Sequence, residues 1–88
     1  LGQELAGQNE AFRQRLDTVF ASWEKRFEQC LAEAQRAGDI SAGIDPADAA
    51  SFLLSGWEGA ILRSKVLKST EPMERFVRVF FKQCLNIG

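Results

Sequence analysis

The sequence has no histidine and only two cysteines, Cys30 and Cys84. Without histidine, and without a Cys-x-x-Cys pair, a zinc site has almost no donors to draw on. Long apolar runs are missing as well: nothing approaches the ~20 residues of a membrane-spanning helix, and no signal peptide is visible. No segment alternates with the period of a strand, none repeats, and none is of low complexity. Charge of one sign is also lacking. The net charge is −1 with the signs interspersed, and Arg63, Lys65 and Lys68 form one short basic cluster. Sequence-independent DNA binding needs several Lys or Arg contacts to phosphate, so this chain alone is a poor candidate for it.

Apolar surface, by contrast, is abundant. Hydrophobic residues make up 45% of the 88, including seven Phe and two Trp. A chain this short buries only about 60–65% of the surface its unfolded form exposes. It therefore carries more apolar material than a small helical monomer can hide. Either it is part of a larger domain, or it pairs with another chain. The chain starts at Leu1 in a stretch that already reads as helix, so residues 1–88 are expected to be a fragment of a longer, cytoplasmic protein.

The pattern is all-α. Residues 1–6 read as the end of a helix stopped at Gly7, and Asn9 suits the N-cap of the next, with Glu10 in its first turn. That next helix is expected from Glu10 to Ala37. Phe12, Leu16, Val19, Phe20, Trp23, Phe27, Cys30, Leu31 and Ala34 recur along it in steps of three and four, making one apolar stripe. The plain reading of so aromatic a stripe is core. The sharper one is the wall of a small-molecule pocket, with Phe20, Trp23 and Phe27 lining it and Trp57 behind them.

Gly38 ends this helix, and Ile40 and Ile44 of the following loop are expected to tuck into the core. Asp45-Pro46, with Asp48 placed as in a capping box, opens a second helix running to Leu67. Its centre, SGWEGAILRSK from Ser55 to Lys65, is apolar on two faces. One face carries Ala50, Leu53, Leu54, Trp57 and Ile61; the other carries Ala49, Phe52, Gly56, Gly59, Ala60 and Arg63. Each glycine in a helix costs about 0.5–1 kcal/mol relative to alanine, so two of them three residues apart point to a close approach by another backbone. Ser69 and Thr70 cap a third helix, Glu71 to Asn86, with Pro72 in its first turn. Phe80 and Phe81 are adjacent and diverge by about 100°. Phe76 and Phe80 are assigned to a partner surface, Val77 and Phe81 to the chain's own core. The expected interface is thus Phe52, Gly56, Gly59, Ala60, Arg63, Phe76 and Phe80.

Catalytic groups are scarce. Glu58 is the one acid set in the apolar part of the second helix, and nothing in the pattern pairs with it, so it bonds Arg63 or Arg78 or points to solvent. Cys30 and Cys84 sit in apolar patterns and read as small buried hydrophobes. No catalytic residue, metal site or cofactor is assigned.

Three segments together resemble the C-terminal regulatory domain of bacterial TetR/AcrR-family transcriptional repressors: LAEAQRAGDI (Leu31 to Ile40), DPADAASFLLSGWEGAILRSK (Asp45 to Lys65, with Trp57-Glu58-Gly59-Ala60 at its centre) and STEPMERF (Ser69 to Phe76). The opening LGQELAGQNEAFRQRL is similar to a segment joining two helices of that domain. The resemblance covers essentially the whole chain. It implies a homodimer in which the last two helices pair with those of a second subunit as a four-helix bundle. It also implies that the helix from Glu10 is one wall of a pocket for a small apolar effector. DNA would be reached only through an N-terminal helix-turn-helix that these residues do not include, and membrane is not an expected partner. A helical dimerisation module with no effector is the alternative. Neither Cys30 nor Cys84 matches a position at which relatives sense electrophiles.

Overall fold

The computed structural model describes residues 6–86, with side-chain exposures from Asn9 onward. Helix α1 runs Ala6–Arg36, α2 runs Pro46–Leu67, α3 runs Glu71–Val79, and a π-helical turn continues α3 over Phe80–Cys84. No strand occurs among the described residues.

Gly7 and Asn9 both lie inside α1 rather than at a break. Continuing a helix through one Gly and one Asn costs about 1–1.5 kcal/mol in propensity. Stopping and restarting would leave two more sets of unpaired backbone groups to satisfy. Of the helix end expected over residues 1–6, residues 1–5 lie outside the described residues. At the other end of α1, Gly38 takes φ +84°. Its amide bonds Gln35 O at 3.0 Å, and the Asp39 amide bonds Ala34 O at 2.8 Å. This paired arrangement satisfies the last carbonyls of the helix, and a left-handed glycine is what permits it.

The loop that follows is tied down from both sides. Gln35 Nε2 donates to Ser41 O at 2.9 Å and also to Ile44 O. Ile40 is buried and Ile44 half-buried against the core, as their apolar character at loop positions implied. Asp45 Oδ1 accepts from the Ala47 amide at 2.9 Å and the Asp48 amide at 3.5 Å, and Pro46 takes the first helical position. Helix α2 then ends at Lys68, in left-handed geometry, and Ser69 Oγ accepts from the Glu71 amide at 3.1 Å to start α3.

The third helix departs from expectation in its last turns. Leu85 N–H reaches back five residues to Phe80 O at 2.9 Å, where an α-helix would reach four. The extra residue changes which side chain faces inward below Phe80: Leu85 is buried, at 2% exposure, and Cys84 is turned outward. Phe80 itself is only 2% exposed. The inward and outward assignment of this helix is therefore reversed. Phe80 is core and Phe76 half-buried, while Val77 and Phe81 face solvent. Phe80 sits where α1, α2 and the loop converge, with Leu31, Ile40, Ala50 and Leu85 around it. Burying a Phe there contributes about 1.5–3 kcal/mol.

The three helices form essentially one layer, with principal extents of 51 × 29 × 14 Å. The radius of gyration is 16.0 Å, against about 12 Å for a compact domain of this length. The chain exposes 6691 Å², whereas a compact monomer of its mass exposes ~5,200 Å². A sheet of helices one layer thick has two broad faces, and neither can be covered from within.

Candidate functional site

Two uncovered apolar surfaces, called faces below, differ in what they offer. The first is built by α2 and α3. Phe76 packs on Phe52 (ring centroids 6.1 Å apart), Trp57 (6.4 Å) and Phe80 (5.8 Å). Gly56 makes this possible, since a Cβ there would collide with the Phe76 ring. Beside this stack runs an open groove of about 480 Å³, lined by Gly56, Gly59, Ala60, Leu62, Arg63, Glu71, Pro72, Arg75, Phe76 and Val79. Five of the seven interface residues expected from the sequence thus meet in one groove: Gly56, Gly59, Ala60, Arg63 and Phe76. Phe52 is exposed next to it. Phe80 does not belong there, being core.

Ala60 is buried within the single chain, so it serves the α2–α3 contact as well as the groove wall. Leu62 and Val66, 63% and 73% exposed, continue the same face of α2. The sequence reading missed both. Phe52, Gly59, Leu62 and Val66 follow one another in steps of seven, three and four, the helical signal that would have found them.

The second face is the N-terminal half of α1. Phe12, Leu16, Val19 and Trp23 are all exposed there, and Trp23 pairs with Phe20 at 5.7 Å between centroids. The four pocket candidates do not come together among the described residues. Phe20 lines a shallow, partly charged groove with Asp17, Glu24, Lys25 and Glu28. Phe27 packs on the core beside Leu31. Trp57 packs at a tilt against Phe76 and borders a separate groove of about 430 Å³ with Met73, Val77 and Arg78.

The remaining candidates carry no visible chemistry. Glu58 is exposed, the solvent-facing choice among its alternatives. Cys30 and Cys84 are free and exposed rather than buried, which corrects their reading as core. Cys84 is outward because the π turn seats Leu85 in its place. The Glu10 carboxylate is held below its ordinary range by the Arg13 guanidinium bonded to it, partly opposed by desolvation, but the pair lies on open surface. Arg63 and Lys65 are two residues apart and so point about 160° away from each other around α2; with Lys68 they do not form a stripe. No helix of the described residues is long and apolar enough to cross a membrane.

Comparison with known proteins places the chain in a family. The profile of the family described as "Tetracyclin repressor-like, C-terminal domain" matches residues 1–80. The chain belongs to this family. It is 37% identical over 82 residues to the "HTH-type transcriptional repressor DhaR" of a Mycobacterium species, covering 93% of this chain and 41% of that protein. It is 41% identical over 80 residues to the "Transcriptional regulator AcuR" of Cereibacter sphaeroides, covering 91% of this chain and 36% of that protein. A third relative, the "Nucleoid occlusion factor SlmA" of Shewanella frigidimarina, is 35% identical over 82 residues, 93% of this chain and 36% of that protein. No solved structure matches. The chain spans about two fifths of the length of these curated relatives. The chain is a tetracyclin repressor-like C-terminal domain, all-helical as the resemblance implied.

Proposed function

We propose that this chain is the dimerising and effector-sensing part of a TetR-like repressor that works in the cytoplasm. The observation that carries the reading is the pair of uncovered apolar faces on a layer 14 Å thick. The α2–α3 face takes a second subunit, and a standard stable interface buries about 800 Å² per partner. The α1 face, with Phe20 and Trp23 as its aromatic pair, forms one wall of a pocket completed by other parts of the protein. A small apolar effector that binds one arrangement of the helices more tightly than another shifts the population toward it. Through the paired α2–α3 helices, that shift changes the separation of two DNA-reading domains and releases DNA.

The test uses the intact protein and the apolar dye anilinonaphthalene sulfonate, followed by dye emission and by the fluorescence of the two tryptophans, Trp23 and Trp57. Saturable binding at one site per subunit, weakened at least several-fold by Trp23→Ala, is the expected result. No saturable binding, with the dimer intact, leaves the second reading: a dimerisation module with no effector. One observation favours that second reading, namely that Phe20, Trp23, Phe27 and Trp57 share no common cavity among the described residues.

A further inference from the structure

Among the described residues one buried side-chain polar atom has no hydrogen-bond partner, the hydroxyl oxygen of Ser64. Ser64 is 7% exposed and lies near the C-terminal end of α2. A serine inside a helix commonly returns its hydroxyl to the carbonyl four residues back; this one does not. Its own carbonyl, in contrast, accepts from both the Lys68 and the Ser69 amides. An alanine would fill the same space and leave no hydroxyl unpaired, so packing gives no reason for a serine here.

The space beside Ser64 supplies one. Ser64 lines an open groove of about 360 Å³ where α2 ends and α3 begins. Ile61 and Met73, both half-buried, make its apolar floor, and Lys65 and Lys68 stand at its rim. Neither lysine pairs with a carboxylate among the described residues. The nearby acids are engaged: Glu71 bonds Arg75 at 2.7 Å, and Glu74 accepts from the Thr70 hydroxyl. At Thr70 and Met73 the groove adjoins the one beside Trp57 and Val77. Trp57 and Ser64 are seven residues apart, about 10 Å along the helix. The result is an apolar trough with a buried hydroxyl and two unpaired cations at one end. It shares no residue with the groove at Gly56 and Gly59 on the other side of α2–α3.

We propose that this trough binds a small amphipathic carboxylate, a medium-chain acyl acid, at a site separate from the α1 wall. The carboxylate accepts from Ser64 Oγ and sits between the Lys65 and Lys68 ammonium groups, where its hydrogen bonds are charge-assisted. The chain runs over Met73 toward Trp57. A neutral apolar molecule would leave the hydroxyl and both ammonium groups unanswered. A bare inorganic anion would leave the trough uncovered.

The test measures octanoate binding to the intact protein by equilibrium dialysis. Saturable binding is expected, and octanol, which has no carboxylate, should bind about tenfold more weakly. Ser64→Ala should raise the octanoate dissociation constant about tenfold, the size of one hydrogen bond to a charged group. Lys65→Gln with Lys68→Gln should raise it several-fold. Without octanoate, Ser64→Ala should unfold at the same or a higher denaturant concentration, because it removes an unpaired hydroxyl. A lower midpoint would show that the hydroxyl already has a partner and would overturn the proposal. So would the absence of saturable binding, octanol bound as tightly as octanoate, or octanoate binding that Ser64→Ala leaves unchanged. Weakening by Arg78→Gln in place of the lysine pair would put the carboxylate at the other end of the trough, and overturns it as well. Trp23→Ala, which probes the α1 wall, should leave octanoate binding unchanged. If it abolishes that binding, the acid sits on the α1 wall, and this inference falls while the effector reading stands.

Discussion

The two ends of the helical layer are built from similar residues and come out differently. At one end the C-terminal turns of α1, the loop to α2 and the π turn after α3 close around Phe80. Gly38, Gln35 and Asp45 hold the connections there by hydrogen bonds. At the other end α1 runs on with Phe12, Leu16, Val19 and Trp23 in the open. Apolar content does not separate the two ends. The closed end has chain folding back over it, and the open end has not. Local turn chemistry thus places the core, while the surplus apolar surface away from those turns is left for something outside these residues.

Substitutions along the layer break or sharpen that contrast. The largest effect belongs to the closed end: Phe80→Ala should lower the unfolding free energy by about 3–5 kcal/mol, read by chemical denaturation. A value below ~1 kcal/mol would mean that Phe80 is not the centre of the core. Gly56→Ala comes next, forcing the Phe76 ring aside at a cost of about 1–3 kcal/mol, visible as a lower denaturation midpoint with unchanged slope. Asp45→Ala removes the acceptor for two α2 amides and should cost ~1 kcal/mol; Asp45→Asn should recover most of it. The smallest effect is at the open end. In the 88-residue chain, Phe12→Ser should change stability by less than ~0.5 kcal/mol, and a clearly larger loss would show that the two ends are not different after all.

What the sequence made legible divides along the same line. Helix α2 was readable to the residue at both ends, because Asp45-Pro46 and the Ser69-Thr70 pair are chemical signals that act locally. The Gly38 stop was readable for the same reason. The joint at Gly7–Asn9 was misread, since a glycine and an Asn are signals only when the helix has cause to stop. The face of α3 was misread because Phe76, Val77, Phe80 and Phe81 spread over about 140° of the helix surface. Periodicity cannot say which arc turns inward; packing against α1 and α2 decides it. The π turn adds a residue to the register and swaps Cys84 for Leu85, and no local pattern announced it. Leu62 and Val66 were overlooked in a helix already given two apolar faces. As candidates for the subunit contact, they matter more than Phe80, which the core claims for itself.

The account stands on the exposed face of α2 meeting its own copy, and the association state of the intact protein tests it most directly. Sedimentation equilibrium at micromolar concentration should give a dimer for the wild type. Leu62→Glu with Val66→Glu should give a monomer whose circular dichroism keeps the full helix signal. A wild type that stays monomeric, or a doubly charged variant that dimerises as tightly as the wild type, would contradict the account.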